Sequence, residues 1–174
     1  MASSNYGFLS APVPTKFIEI HGSLPEKTIN FGCGGLELYE VDELPQKQIG
    51  YSVSKSGESF CGNSEGDWKP SWIVIGHELT CGDPIILDTS SPDLPVLTDA
   101  HGNGSWQPQT IATSVDAFAA CFNRFIDVST GRSNPVEREA HPVTDGERND
   151  FLAHIAKYNG TDSPPEFWDV LLES

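Results

Sequence analysis

The stretch 75-IGHELTCGDPIILDTS-90 holds the densest set of side chains that could do chemistry. It contains His77, Glu78, Cys81, Asp83 and Asp88. These residue types could bind a metal ion, could form a Cys–His nucleophile pair, or could supply paired carboxylates for acid–base catalysis. Each chemistry has a spacing requirement that the sequence can be tested against.

The spacing does not favour a metal centre. His77 and Glu78 are adjacent, and neighbouring residues of a strand point to opposite faces, so both cannot ligate one ion. There is no His-Glu-x-x-His, and the four cysteines contain no Cys-x-x-Cys pair. We therefore expect no metal and no other cofactor. The pattern predicts a strand, a bend at residues 81–83 and a second strand starting at Pro84.

A cysteine nucleophile stays open as a weaker alternative. Cys81 lies next to Gly82 and near His77 in sequence, but a Cys–His pair requires an arrangement in space that sequence proximity does not supply. Cys33 has no cationic neighbour in sequence that could activate its thiolate, and Cys121 lies beside the apolar face of a predicted helix. A glycosidase-type carboxylate pair requires a cleft that sequence cannot show. We predict no catalytic residues.

The charge pattern is more informative than any motif. The chain has 25 acidic and 10 basic residues and a net charge of −15, which disfavours binding to nucleic acid or to anionic membranes. No Lys or Arg lies between Lys69 and Arg124, and this window carries Glu78, Asp83, Asp88, Asp93, Asp99 and Asp116. Such a window is either a solvated rim or a surface for a basic protein partner.

For the partner-binding surface we predict four carboxylates and two loop tryptophans. They are Asp83, Asp88, Asp93, Asp99, Trp68 and Trp106. Tryptophan is enriched at interface hot spots, although both tryptophans could instead cover the edge of the core.

The elements that must position these residues form an α+β pattern. Residues 1–13 are predicted to be a flexible tail, and 54–70 a surface loop. Residues 15–25 are predicted to hold a short helix or strand that Gly22 ends. The glycine-rich 31–35 fits neither helix nor strand. Strands are predicted at 36–41, 49–53, 71–76, 84–89 and 94–98, the last at an edge or irregular because Pro95 lacks an N–H.

Helices are predicted in the C-terminal part. Residues 115–128 have apolar side chains at helical spacing, with Ser114 as N-cap. A polar loop at 129–146 separates this helix from 147–158, which Gly160 ends, and 165–173 is a last helix capped by Ser163. Strands in the middle and helices at the end are typical of one α+β domain.

The N-terminal residues lack the features of a signal peptide, and no apolar run approaches the length of a membrane span. We expect free thiols and a cytoplasmic location.

The central segment resembles the SUKH superfamily, which includes fungal cell-wall and glucan-synthesis regulators and bacterial immunity proteins. The resemblance rests on Trp72, Ile75-Gly76, Gly82-Asp83, Leu87-Asp88, Val96 to His101, and Val115 to Ile126, with 36-LELYEVDEL-44 and Gly50-Tyr51-Ser52 upstream. It covers residues 14–128. Residues 129–174 are an extension, which we expect to be helical and to pack on the same domain.

The resemblance implies a single α+β domain, with a mixed or antiparallel central sheet flanked by helices and no catalytic residues. It also implies a cytoplasmic protein that neutralises a cognate bacterial toxin, often a nuclease, by direct binding. The acidic charge is consistent with that role, since carboxylates can occupy a groove made for phosphates. A regulatory or scaffold module of the cell-wall-regulator type is the alternative, and a small hydrolase using Cys81 or Cys33 is the third. The oligomeric state stays open.

Overall fold

The computed structural model describes residues 8–173 as one α+β domain, which confirms the predicted fold class. Its six-stranded sheet is antiparallel throughout, and its strands follow one another in chain order. The strands are β1 Thr28–Phe31, β2 Gly34–Leu38, β3 Trp72–Glu78, β4 Pro84–Asp88, β5 Val96–Thr98 and β6 Gln109–Ala112. The helices are α1 Thr15–Ser23, α2 Leu44–Lys47, α3 Val115–Ser129, α4 Pro135–Ala140, α5 Asp145–Asn159 and α6 Glu166–Leu171.

The glycine-rich segment at 31–35 forms the β1–β2 hairpin, so the prediction that it fits neither element is wrong. Gly32 has a φ of 57° and opens a two-residue turn, a conformation that glycine adopts without strain. A Cβ on Gly35 would lie 1.9 Å from the carbonyl oxygen of Ile29. The glycines are therefore what permit the tight turn and the close approach of β2 to β1. The predicted strand 36–41 begins at Gly34 and ends at Leu38.

Residues 49–53 are not a strand, which corrects a second prediction. They follow the short helix α2 as turns, with one isolated bridge between Ile49 and Val53. The side chain of buried Gln48 holds this region against the sheet. It donates to the carbonyl oxygens of Leu44 and Val74 and accepts from the Val74 N–H, each within 3.0 Å. These side-chain hydrogen bonds take the place of the backbone hydrogen bonds that a strand at 49–53 would have made with the sheet.

The central strands β3 and β4 lie where the apolar runs predict them, and β3 extends to Glu78. Strand β5 is not at an edge, because it pairs with β4 on one side and with β6 on the other. Pro95 precedes the strand, and the expected irregularity is a register shift between Val96 and Leu97. The edge strand next to β5 is β6, which the sequence pattern did not reveal.

The C-terminal helices share the core with the sheet. The Ser114 hydroxyl accepts from the Ala117 N–H, as predicted, and α3 buries Phe118, Phe122 and Phe125. Helix α4 lies within the predicted loop 129–146. Helix α5 begins two residues earlier than predicted, behind a capping box of Thr144 and Glu147, and ends at the left-handed Gly160. The predicted cap Ser163 is wrong, because Pro165 is the residue that precedes α6. No side chain caps this helix.

Residues 1–7 of the predicted tail 1–13 lie outside the part of the chain that the structure describes. In the part that is described, Leu9, Ala11 and Val13 are partly buried against the core. Within residues 8–173, no helix has both the length and the apolar character needed to cross a membrane.

Candidate functional site

The β3–β4 loop is organised by one carboxylate. Glu78 is 8% exposed, and its side chain accepts from the backbone N–H groups of Thr80, Cys81 and Asp83 at 2.6 to 3.1 Å. Gly82 completes the bend with a φ of 84°. Three charge-assisted bonds to backbone groups make Glu78 the residue that fixes this loop.

His77 makes its contacts elsewhere. Its Nδ1 lies 2.9 Å from the Tyr39 hydroxyl, and its Nε2 lies 3.9 Å from a Glu37 carboxylate oxygen. Burial raises the pKa of Tyr39 to about 12, so this hydroxyl keeps its proton and can donate to Nδ1. Among residues 8–173 no hydrogen bond joins His77 to Cys81.

A cleft opens where this loop meets α6. Its volume is about 500 Å³, and it lies between the β3–β4 loop, the end of β5, the start of β6 and helix α6. We call it the α6 pocket. It is lined by Glu78, Thr80, Cys81, Asp83, Thr98, Asp99, Ala100, Gln109, Phe167, Val170, Leu171 and Glu173.

The α6 pocket has four carboxylates in its lining and no lysine or arginine. Asp83 Oδ1 accepts from both the backbone N–H and Nδ1 of His101, at 2.9 and 2.7 Å. Asp99 Oδ2 accepts from the Gln107 N–H, and Glu173 pairs with Arg148 at 3.0 Å. The carboxylates are thus held in position by local partners while the cleft between them stays acidic.

The opposite wall is apolar and belongs to α6. Trp168 anchors the helix, because its ring is fully buried and its Nε1 donates to the Ile111 carbonyl oxygen at 2.8 Å. This docking leaves Phe167 and Val170 along the cleft, and Val170 is 56% exposed. The cleft therefore combines an apolar wall on α6 with carboxylates in its lining.

The structure divides the four predicted aspartates into two pairs. Asp83 and Asp99 both line the α6 pocket. Asp88 ends β4 five residues after Asp83, about 17 Å along the strand, and Asp93 follows in the β4–β5 connection. Asp88 Oδ1 accepts from the Ser90 N–H, and the Asp93 carbonyl accepts from the Val115 N–H at the start of α3. The four do not form one surface.

The two predicted tryptophans also differ. Trp68 is 1% exposed, and its Nε1 donates to the Trp72 carbonyl oxygen, so the predicted surface role of Trp68 is wrong. The ring is covered because the loop 54–70 folds it onto the sheet edge-to-face with Trp72. Trp106 packs at 4.9 Å against Trp68 and is partly exposed, one residue before Gln107, which holds Asp99.

The sequence pattern did not identify Phe167, Val170 and Glu173 as site residues. The only available signal was the aromatic pair in 165-PEFWDVLLE-173, which predicts a short helix but not what the helix faces. Which side of α6 lies on the cleft depends on the hydrogen bond from Trp168 to Ile111, which is 57 residues away in sequence.

The cysteines occupy different environments. Cys33 and Cys81 are exposed, and Cys81 lines the α6 pocket. Burial raises the pKa of the Cys121 thiol to about 12, and the Asn159 amide lies 3.6 Å from its sulfur. Across residues 8–173 no group of three or more His, Cys, Asp or Glu side chains is arranged to hold a metal ion.

Comparison of the chain with protein-family models, with curated proteins and with solved structures finds no match.

Proposed function

We propose that this chain is a non-catalytic acidic binding protein whose partner is a basic protein. The observation that carries the proposal is the α6 pocket, where Asp83, Asp99 and Glu173 line one cleft together with Val170 and Phe167. Protein interfaces commonly combine an apolar centre with a polar border, and complementary charge at that border speeds association and selects the partner. The net charge of −15 adds long-range attraction for a basic partner.

The specific form that we propose is an immunity protein that neutralises a cognate toxin, in the cytoplasm. This form rests on the resemblance of residues 14–128 to the SUKH superfamily and on the acidic surface, which suits the positive groove of a nuclease. Neutralisation then requires only tight stoichiometric binding, with no bond made or broken by this chain.

Co-expression tests this proposal. A basic toxin domain encoded beside this gene is produced in cells with and without this protein, and growth and co-purification are measured. We expect survival only with the protein present, and a stable complex of the two. Survival that is independent of this protein, together with no complex, would exclude the immunity role. A complex with a host protein and no toxin would favour the regulatory or scaffold alternative.

The cysteine-dependent hydrolase is a second candidate, favoured by one observation. The exposed thiol of Cys81 lines the α6 pocket, where a substrate would have access to it. Its weakness is that His77 hydrogen-bonds Tyr39 instead. Labelling of the four thiols at neutral pH separates the candidates, because a nucleophile reacts much faster than Cys33, the other exposed thiol.

A further inference from the structure

We infer that the α6 pocket receives one arginine side chain from the partner. The inference rests on the proposed function and adds to it the chemical group that is recognised. A cleft of about 500 Å³ is within the range of pockets that enclose a small group. It suits one long side chain with its flanking backbone rather than a folded surface.

The apolar wall matches the stem of such a side chain. Long basic side chains bury their methylene groups on apolar surface while the charged end seeks polar partners. Val170 and Phe167 supply that surface on α6, and Ala100 adds to it from the end of β5. A small inorganic cation would leave this wall exposed to water, so the wall favours an organic cation.

The carboxylates match the charged end. Asp83 uses Oδ1 for His101, and Asp99 uses Oδ2 for Gln107, so each has a second oxygen without a hydrogen bond within residues 8–173. By contrast, Glu78 is committed to three backbone N–H groups. Asp83 and Asp99 therefore present two acceptors that are already oriented by their other oxygens.

Arginine fits these acceptors better than lysine. A guanidinium has five N–H donors in one plane and can bridge two carboxylates, whereas an ammonium acts as a point charge. The guanidinium is also less strongly hydrated, so it loses less on entering a cleft with an apolar wall, and it stacks on aromatic rings such as that of Phe167.

Backbone amide NMR of the intact chain tests the inference with three blocked tripeptides, Gly-Arg-Gly, Gly-Lys-Gly and Gly-citrulline-Gly. We expect the arginine peptide to shift the amides of Thr80, Ala100 and Val170 and to saturate. The lysine peptide should bind severalfold more weakly, and the citrulline peptide, which lacks the charge, should not bind.

Three variants test whether the arginine peptide binds in the α6 pocket. Asp83→Asn with Asp99→Asn should weaken the arginine peptide at least tenfold, whereas Asp88→Asn with Asp93→Asn, which removes the same charge, should leave it unchanged. Val170→Lys places a cation in the cleft at an exposed position that the fold tolerates, and it should also abolish binding.

Equal shifts from the arginine and lysine peptides, shifts elsewhere on the surface, or no shifts at all would overturn the inference. Its failure is distinguishable from failure of the proposed function. If a basic partner binds this chain but the arginine peptide does not, the proposed function stands. Only the inference that the α6 pocket binds an arginine side chain is then rejected.

Discussion

At the scale of single residues, three buried polar side chains connect elements that would otherwise only touch. Gln48 joins α2 to β3, Asn159 joins α5 to Thr113 just after β6, and Glu78 closes the β3–β4 loop. Each replaces backbone hydrogen bonds that the chain cannot make there. The sequence places Glu78 among candidate ligands and in the acidic window, but it does not predict the loop contacts of Glu78, because backbone N–H groups have no sequence signature.

Replacing Glu78 by alanine should destabilise the domain. The change leaves three backbone N–H groups of a partly buried loop without their acceptor. The expected loss is about 2–4 kcal/mol in the free energy of unfolding, measured with urea. Glu78→Gln, which keeps one acceptor oxygen, should lose about half as much. Equal stability of the alanine variant and the parent would show that Glu78 does not organise the loop.

His21 should make stability depend on pH. Its ring is buried, and its Nε2 lies 3.0 Å from the Tyr39 carbonyl oxygen. Burial, then the charge of Lys27, lowers the pKa of His21 below its ordinary 6.5, although Glu40 opposes the shift. Between that lowered pKa and 6.5 the unfolded chain binds more protons than the folded one. The stabilisation is therefore complete above 6.5 and decreases as the pH falls below it.

The measurement is the free energy of unfolding of the parent and of His21→Gln between pH 5 and 8. We expect the parent to lose more stability than the variant as the pH falls through this window. His141→Gln is the control, since it removes an exposed histidine in place of a buried one. Parallel curves for the parent and His21→Gln would contradict the assignment.

At the scale of elements, the sequence predicts those strands and helices whose burial produces a long, regular pattern of apolar residues. Strands β3 and β4 are buried on both faces and read as apolar runs, and α3 shows a helical stripe. Strands β1 and β6 have only four residues each, so alternation cannot emerge from them. The pocket wall on α6 was equally unpredictable, because its orientation comes from a contact between Trp168 and Ile111.

The β1–β2 hairpin gives a prediction about glycine. Gly35→Ala should prevent native packing of β1, because the new Cβ would meet the Ile29 carbonyl oxygen at a φ of 135°. We expect a loss of at least about 3 kcal/mol, or failure to fold, by circular dichroism and urea unfolding.

Gly22→Ala is the matched control for that change. Gly22 lies in α1, and a Cβ added there would meet no heavy atom within 4 Å outside its own helix. The variant should gain up to about 1 kcal/mol from helix propensity. A Gly35→Ala variant as stable as this control would show that the strands do not need the close approach.

At the scale of the whole molecule, the acidic charge is divided rather than uniform. The window without Lys or Arg supplies Asp83 and Asp99 to the α6 pocket, while Asp88 and Asp93 lie at the far end of β4. The sequence predicted the charged window but not this division, because only the antiparallel register of β4 and β5 brings Asp83 and Asp99 to the same end. The proposed function assigns the partner to that end.

The division makes charge reversal the most direct test of the account. The dissociation constant for the basic partner is measured by calorimetry for Asp83→Lys with Asp99→Lys and for Asp88→Lys with Asp93→Lys, which change the net charge equally. We predict that the first pair weakens binding by at least about 100-fold and the second by less than about fivefold. The second effect is small because salt screens charges that are distant from the partner. Equal weakening by both pairs, or a stronger effect of Asp88 and Asp93, would contradict binding at the α6 pocket.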